Sequence, residues 1–256
     1  MVRFFGIAGA LDPARRQGVG FRTRAARAAD AENGEAMEGG KFHRKTFDRI
    51  DPERRAMILR VAMTEFASKG FAATGINDLA RKAGISIGSL YSYFASKEDL
   101  FLAVIDMGSD TLERELSEID PSAGFFTCLE ALIRKARHAA DRYPELNQIY
   151  LDSTTQGLSA LAARLSNRLE AVTAKLYRRL FAAGQASGEL RQDIDPGYAA
   201  FCLDNLIVML QFSYSSDYYR DRMRIMVGVG DGEEVDEDKL VSCVLAMTRG
   251  AFGAYR

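Results

Sequence analysis

Five consecutive residues in the first half of the chain have the spacing of a catalytic serine motif. Gly84-Ile85-Ser86-Ile87-Gly88 fits G-x-S-x-G, in which a serine on a tight strand-to-helix turn attacks a carbonyl carbon with a histidine as its base. That chemistry needs a strand before the serine and a histidine after it. Here a helical pattern precedes Gly84, and His138 is the only histidine downstream. We therefore interpret Ser86 as a helix cap and do not predict a hydrolase.

The other residues whose types could form a catalytic or binding site do not have the spacing for one. Gly228, Gly230 and Gly232 do not complete a phosphate-binding G-x-G-x-x-G, and the acidic residues that follow them would repel phosphate. The spacing of those acids is not that of a calcium loop, so a solvated acidic loop is expected. His43 and His138 are isolated histidines with surface positions expected.

The three cysteines, Cys128, Cys202 and Cys243, are far apart and lie in apolar helical patterns. No pair has metal-ligand spacing, and an odd number disfavours a disulfide framework. We expect small buried core residues in a reducing cytoplasm. The sequence thus predicts no metal, no cofactor and no enzymatic activity.

The elements around Ser86 indicate a different kind of site. Thr74 is predicted to cap a short helix, Gly84 to supply a tight turn, and Ser86 to cap a second helix that ends near Phe94. Ser96 and Asp99 resemble a capping box that opens a third helix. Two short helices joined by so tight a turn form a helix-turn-helix, which places its second helix in the DNA major groove.

Composition and charge are consistent with this interpretation. The chain has 256 residues, 47% of them apolar, and a net charge of −1. Residues 1–100 carry 17 Lys and Arg against 12 Asp and Glu, which leaves 17 against 23 for residues 101–256. A basic front and an acidic back suit DNA binding at one end. Long helical patterns without alternating strands predict an all-α fold.

The segment 54–101 resembles the N-terminal domain of TetR-type transcriptional regulators. It covers about a fifth of the chain, with Ala73 where a second threonine is common and Leu79 where isoleucine is usual. The matching residues are Ile58, Ala62, Phe66, Gly70-Phe71, Thr74, Asp78-Leu79-Ala80, Ala83-Gly84-Ile85-Ser86, Leu90-Tyr91, Tyr93-Phe94 and Lys97-Glu98-Asp99-Leu100-Phe101.

The resemblance implies a three-helix N-terminal helix-turn-helix DNA-binding domain followed by a C-terminal helical bundle for dimerisation and ligand binding. We expect residues 1–46 to be a mostly disordered arm, 47–96 to be the DNA-binding domain and 97–256 to be the bundle. The arm is rich in arginine and is expected to follow DNA or to be a passive tail; whether residues 1–36 belong to the protein, with Met37 as an alternative start, stays open. No apolar run reaches the length of a membrane span, so a cytoplasmic, nucleoid-associated protein is expected.

Helical periodicity sets the expected elements. A first helix is predicted to be capped by Asp51, to contain Pro52 at its first position and to end at Gly70. A linker helix is predicted to start at Lys97 and to be broken by Pro121. Beyond it, helices are predicted over residues 122–142, 144–153, 158–187, 196–218, 219–227 and 237–255.

DNA contacts are expected from two sources. Exposed basic residues next to the domain, Arg44 and Lys45, are expected to bind phosphate. By resemblance, Thr74, Tyr91, Tyr93 and Lys97 fall where the family contacts the DNA backbone, although Tyr91 is also a candidate packing residue. The recognition helix contributes Ser86, Ile87, Gly88, Ser89 and Ser92, with Ser89 the best candidate for a base edge and Ile87 for a thymine methyl.

The second half is expected to bind a small molecule and to dimerise through its last two long helices, again by resemblance. Polar side chains among apolar walls give the candidate ligand contacts Tyr150, Tyr177, Phe201, Asn205, Gln211 and Tyr214. The implied function is a ligand-responsive repressor that binds a near-palindromic operator in double-stranded DNA as a homodimer. The alternative is a constitutive DNA-binding or architectural protein without an effector. The effector, the operator sequence and the choice between repression and activation are not encoded in these patterns.

Overall fold

The computed structural model describes residues 42–155, 159–230 and 233–255, with the side chains of 154–155 and 159–169 excepted. Within these segments the chain forms helices and no β-strand, which confirms the all-α prediction. A 3₁₀ turn lies at Pro121–Ala123. The α-helices are α1 (Lys45–Asp48), α2 (Pro52–Ala73), α3 (Ile76–Lys82), α4 (Ile87–Tyr93), α5 (Lys97–Ser117), α6 (Phe125–Arg142), α7 (Pro144–Thr155), α8 (Ser159–Ala186), α9 (Pro196–Ser215), α10 (Asp217–Val227) and α11 (Glu237–Phe252).

The helix starts follow from local chemistry. The Asp51 carboxylate accepts the backbone N–H groups of Glu53 at 2.9 Å and Arg54 at 3.1 Å, as a capping aspartate should. The long helix α2 carries a break at Gly70, whose φ of 74° is outside the helical region. Only glycine adopts this backbone conformation without strain. The predicted end of the first helix at Gly70 therefore corresponds to a kink, and one further short helical piece follows it.

Residues 42–46 were expected to belong to a disordered arm, but they are part of the folded domain. Residues 42–46 are ordered, because Phe47 is buried against Phe94 with 4.8 Å between ring centroids and the Arg44 N–H donates to the Tyr93 carbonyl at 2.8 Å. The short helix α1 was not predicted, since four residues are too few to show periodicity. Residues 1–41 lie outside the described residues.

Two apolar clusters form the core. One contains Phe47, the inner faces of α2–α4 and residues 100–105 of α5, together with Ile149 of α7. Phe66 lies at its centre, 5.0 Å from Phe101 between ring centroids. The other cluster is built by α6, α8, α9 and α11 around Phe125 and Phe181. Residues 100–105 thus place the beginning of α5 inside the helix-turn-helix core.

Three boundaries in the second half differ from the predictions by three residues, one of them the end of α11 at Phe252 instead of residue 255. Helix α9 ends at Ser215, three residues early, because Ser216 is extended (φ −112°, ψ 131°) and starts a turn into α10. Helix α6 begins at Phe125, three residues late, because residues 121–123 form the 3₁₀ turn. The carboxylate of Glu189, 64 residues further on, accepts the Phe125 N–H at 2.6 Å and acts as the cap of α6. A cap so distant in sequence leaves no local signal.

The cysteine prediction was right for one residue only. Cys128 is buried, whereas Cys202 and Cys243 are exposed, because they lie on the outward faces of α9 and α11. None of the described helices is long and apolar enough to cross a membrane. No group of three or more His, Cys, Asp or Glu side chains able to hold a metal occurs among the described residues.

Candidate DNA-binding surface and ligand cavity

The outward face of α4 carries the residues predicted to read DNA. Ser86 caps the helix, with its hydroxyl oxygen accepting the Ser89 N–H at 3.0 Å, and Leu90 and Phe94 are buried beneath. Ile87 and Tyr91 remain 43% and 47% exposed, although both are large apolar or aromatic side chains. An exposed Ile87 and Tyr91 on a short, well-capped helix indicate a surface that is kept for a partner.

Two serines of this helix are partly engaged with their own helix. The Ser89 hydroxyl lies 2.8 Å from that of Ser86, and the Ser92 hydroxyl donates to the Ser89 carbonyl at 2.7 Å. Ser89 is half-buried, and either hydroxyl of the pair can be the donor. Ser89 can therefore offer a base edge either its proton and one lone pair or two lone pairs.

The residues before α2 pack against α4. Arg44 and Lys45 are exposed, and the Arg44 N–H bond to the Tyr93 carbonyl holds this basic pair at the end of α4. Thr46 donates its hydroxyl to the Ser92 carbonyl, a contact that the sequence did not indicate because 46 residues separate the partners. Arg54 was also missed: its guanidinium donates to the Gly84 carbonyl at 2.8 Å, in the turn before Ser86. Its only sequence signal is a basic residue in the first turn of α2.

Thr74 does not cap α3. It is buried, and its hydroxyl donates to the Gly70 carbonyl at 2.7 Å and to the Glu65 carbonyl at 3.2 Å, so it closes the end of α2. The N-cap of α3 is Gly75, which offers no side chain. The kink at Gly70 leaves carbonyls without helical partners, and these attract the hydroxyl. The Thr74 side chain is therefore not placed at the surface where DNA would be contacted.

Lys97 has an internal role that the sequence did not reveal. Its ammonium donates to the carbonyls of Phe71 at 2.9 Å, Thr74 at 3.2 Å and Ala72 at 3.3 Å, and it lies 4.5 Å from the centroid of the Phe71 ring. All three N–H donors of the ammonium are thus used at the end of α2. Lys97 joins the first turn of α5 to the helix-turn-helix.

A second internal charge supports the same region. The Glu65 carboxylate is buried and pairs with Lys69 at 2.9 Å and with Lys82 at the end of α3. Hydrogen bonds from Lys82 and then Lys69 hold the pKa of Glu65 below its usual value, against the opposing effect of burial. This ion triad fixes α3 on α2.

The second half of the chain encloses a cavity of about 400 Å³. Helices α5 to α9 line it, mainly with apolar side chains such as Leu112, Leu132 and Ile207. Its volume falls within the range of small-molecule sites, roughly 300–1,000 Å³.

One group of polar side chains in the lining is held by its own ion pairs. Glu115 accepts the Tyr143 hydroxyl at 3.0 Å and the Lys135 ammonium at 3.3 Å, and Arg142 lies 3.7 Å away. The bonds from Tyr143 and Lys135 lower the pKa of Glu115. Lys135 is bound in turn to Glu118 at 2.6 Å. In this group the charges of the acids and bases compensate each other.

The other polar group is acidic. The Tyr150 hydroxyl donates to Glu170 at 3.3 Å, and Tyr177 and Asp204 lie beside them in the lining. Burial, and secondarily the charge of Glu170, raises the pKa of Asp204 to about 6. Burial likewise raises the pKa of Tyr150 and of Tyr177, so both phenols are neutral. Asp204 was missed by the sequence analysis, because one acid in an apolar helix has no local signature.

Comparison with known proteins decides the family. Residues 58–104 match the family model of bacterial regulatory proteins, tetR family. The HTH-type transcriptional repressor KstR2 of Rhodococcus jostii is 32% identical over 143 residues, which cover 56% of this chain and 70% of that repressor. The chain belongs to the TetR family. It regulates transcription by binding DNA through its helix-turn-helix, and repressors are among its relatives.

Solved structures of TetR-family proteins share the fold along most of the chain. A TetR family transcriptional regulator from Chloroflexus aurantiacus superimposes with a TM-score of 0.58 at 22% identity, covering 83% of this chain and 99% of that one. FadR from Bacillus subtilis, solved in complex with stearoyl-CoA, gives a TM-score of 0.60 at 18% identity, covering 75% and 96%. At these identities the likeness shows the fold alone.

Half of the predicted ligand contacts of this TetR-family chain lie in the cavity wall. Tyr150, Tyr177 and Gln211 line it, and Gln211 donates to Asn147. The wall of α9 is formed by Asp204, Ile207, Val208 and Gln211, which recur at the spacing of one helix face.

The other three predicted contacts do not line this cavity. Phe201 is 68% exposed and Asn205 is exposed, with its amide donating to the Phe201 carbonyl at 2.8 Å. Both lie on the face of α9 that points away from the cavity. Tyr214 is half-buried under the Arg137 guanidinium, 5.0 Å from its ring centroid, and is not part of the lining.

Proposed function

We propose that this TetR-family protein is a ligand-responsive repressor that binds a near-palindromic operator as a homodimer. The observation that supports ligand response is the course of α5. Its residues 100–105 are buried in the core of the helix-turn-helix, and further along Gly108, Thr111, Leu112 and Glu115 line the cavity. One helix therefore contacts both the cavity and the helix-turn-helix domain of residues 47–96, which we call the reading head.

Two side chains belong to both regions. Ile105 of α5 and Ile149 of α7 are buried in the helix-turn-helix cluster and also line the cavity. Helix α7 packs on α2 as well. Close-packed cores transmit displacements because they have no free space to absorb them. A ligand that shifts α5 or α7 is expected to shift the reading head, and thereby the separation of the two heads in a dimer.

For DNA contact we propose the exposed face of α4. Ser86, Ile87, Gly88 and Tyr91 are its outermost residues, with Ser89, Ser92 and Tyr93 at its margin. Arg44 and Lys45 at the end of the same helix supply cations for phosphate. The small side chains of Gly88 and Ser89 allow a close approach but offer few bidentate contacts, so part of the specificity is expected to come from DNA shape. Thr74 and Lys97 are proposed to act indirectly, by holding this surface in place.

For dimerisation we propose the outward faces of α9 and α11. Tyr198, Phe201 and Met209 of α9 and Met247 of α11 are all large apolar or aromatic side chains and all exposed. A stripe of this kind is characteristic of a surface covered by a second copy. Replacing Phe201 by Glu should shift the protein from dimer to monomer in analytical ultracentrifugation. Replacing the equally exposed Tyr218 of α10 by Glu is the matched control and should leave the dimer intact.

The test of DNA recognition is selection of bound sequences from a random pool by the purified full-length protein. The expected result is a two-fold symmetric site with half-sites about one helical turn apart, or a multiple of it. We expect the protein to act in the cytoplasm, on the nucleoid. Mapping the selected site onto the genome identifies the regulated genes. Enrichment of no symmetric sequence would contradict operator binding as a dimer.

A constitutive DNA-binding or architectural protein is the alternative function. It would share α4 and its surface but would not release DNA when the cavity is filled. The cavity favours the ligand-responsive proposal, since a protein without an effector has no need of about 400 Å³ of open space inside its bundle. Release of the selected operator on adding a cavity ligand, measured by fluorescence anisotropy, distinguishes the two.

A further inference from the structure

Within the part of the chain that the structure describes, the acidic group in the cavity wall has no counter-charge. Among the described residues, the Glu170 carboxylate has one partner, the neutral Tyr150 hydroxyl at 3.3 Å, and Asp204 has neither a hydrogen bond nor an ion pair. The lining cations Lys135 and Arg142 are both engaged at Glu115, in the other polar group. Two carboxyl groups therefore face the apolar cavity, and no described cation pairs with either of them.

The Tyr177 hydroxyl is a second, independent indication of a ligand site. The side chain is 3% exposed and lines the cavity, and no described residue bonds its hydroxyl. Polar groups inside a protein are nearly always hydrogen-bonded, so an unpaired hydroxyl that opens into a cavity is available to a ligand. The rings of Tyr150 and Tyr177 both lie beside Glu170 and Asp204 in the lining. Aromatic faces attract cations that have lost part of their hydration.

These features select one class of ligand. An anionic head group would be repelled by Glu170 and Asp204, and a neutral one would leave their charge uncompensated. A cationic head group would form ion pairs with both carboxylates and cation–π contacts with the two aromatic rings. It would also donate a hydrogen bond to the Tyr177 oxygen. The remaining wall is apolar and suits a hydrocarbon or aromatic body.

We propose that the cavity binds a small amphipathic organic cation, with its ammonium or amidinium group held by Glu170 and Asp204 between Tyr150 and Tyr177. This deepens the proposed function by naming the chemical class of the effector. The site differs in kind from one for an acyl-thioester ligand such as the stearoyl-CoA of the FadR structure, whose phosphates are anionic.

The proposal implies a definite pH dependence. Among the described residues, the titratable groups beside Asp204 are Glu170 and Tyr177 of α8 and Tyr150 of α7. The other titratable groups of the described lining are Glu115 of α5 and Lys135, His138, Arg142 and Tyr143 of α6. With a pKa of about 6, Asp204 is mostly neutral at pH 5 and mostly charged at pH 7.5. A cation needs the charged form, so its affinity should fall about tenfold from pH 7.5 to pH 5.

The experiment is isothermal titration calorimetry of the full-length protein, without DNA, against three probes that share one apolar body. Phenylbutylamine carries a cationic head, phenylbutanol a neutral one and phenylbutyrate an anionic one. The amine is expected to bind at least tenfold more tightly than the butyrate at pH 7.5. Equal binding, tighter binding of phenylbutyrate, or no binding of the amine at millimolar concentration overturns the proposal.

Three variants locate the effect. Asp204→Asn and Glu170→Gln should each weaken amine binding about tenfold and leave phenylbutanol binding unchanged, and Asp204→Asn should abolish the pH dependence. Glu118→Gln is the matched control, because this exposed acid pairs with Lys135 and does not line the cavity. An amine that binds with unaltered affinity to both site variants refutes the assignment. Since DNA is absent, failure here is distinct from failure of operator release, which would contradict only the ligand-responsive repression.

Discussion

The reading head and the ligand cavity use polar groups in opposite ways. In the helix-turn-helix, three inward-facing polar side chains have partners from the same region: Glu65 has two lysines, Thr74 two carbonyls and Lys97 three carbonyls. In the cavity, Asp204 and Tyr177 have no partner among the described residues. A region that presents a fixed surface to DNA benefits from rigidity, whereas a region that senses a ligand must leave bonds unmade until the ligand arrives.

The largest expected effect tests the rigidity of the first region. Phe66→Ala removes a ring that is fully buried between Phe71 and Phe101, and should lower the free energy of unfolding by about 3–5 kcal/mol. Leu112→Ala, at the half-buried cavity wall, should cost about half as much or less, because open space already lies beside that side chain. Urea unfolding followed by circular dichroism measures both. Equal losses would show that the two regions are packed alike.

The next effect has the opposite sign. Asp204 has a raised pKa in the folded protein, so the native state holds its proton more tightly than the unfolded chain does. Above pH 6 the Asp204 carboxyl is charged in both the folded and the unfolded state, and its burial then lowers the free energy of unfolding most. This destabilisation disappears as the pH falls below about 4. Asp204→Asn should therefore stabilise the ligand-free protein at pH 7.5 by roughly 1–3 kcal/mol.

The pH profile of that variant is its own control. Thermal unfolding of Asp204→Asn and of the unaltered protein should differ at pH 7.5 and converge on acidification. A variant that is less stable at pH 7.5 would mean that the Asp204 carboxylate already has a stabilising partner, and the contrast between the two regions would be lost.

How far the sequence predicts each region follows from the same contrast. The helix-turn-helix is built from contacts close along the chain, such as the Ser86 cap on Ser89 and the glycine turn at Gly84, so propensity and spacing are informative. The cavity is built where five helices meet. Periodicity placed those helices to within a few residues but did not give the rotation of α9, so Phe201 and Asn205 were expected inside and Asp204 was overlooked.

Lys97 shows the same limit where α5 meets the reading head. The resemblance placed it correctly at the start of α5, but its three bonds to α2 depend on the kink at Gly70, which only the folded backbone shows. Motif matching identifies a position, whereas the role of a long side chain depends on which acceptors lie within its reach.

A smaller effect on stability tests whether Lys97 holds the helix-turn-helix together or contacts a DNA phosphate. Lys97→Met should lower stability by about 1 kcal/mol, since the carbonyls of Phe71, Ala72 and Thr74 lose a charged donor. Operator affinity should fall with it, but the slope of log affinity against log salt should not change, because no phosphate contact is lost. Lys45→Met makes the same change in charge at an exposed residue and should flatten that slope by about one unit. A flattened slope for Lys97→Met would restore the phosphate role that the sequence suggested.

The smallest effect separates structure from reading within α4 itself. Ser86→Ala removes the N-cap of a seven-residue helix and should cost about 1 kcal/mol of stability, because the Ser89 N–H loses its acceptor. Ser89→Ala keeps that cap, so its thermal unfolding should stay close to that of the unaltered protein. If Ser89 reaches a base edge, selection from a random DNA pool should show a relaxed preference at one position in each half-site, with the symmetry retained. The opposite result is that Ser86→Ala changes base preference without a loss of stability, while Ser89→Ala does not change it. In that case Ser86, whose hydroxyl lies 2.8 Å from that of Ser89, is the residue that contacts the base.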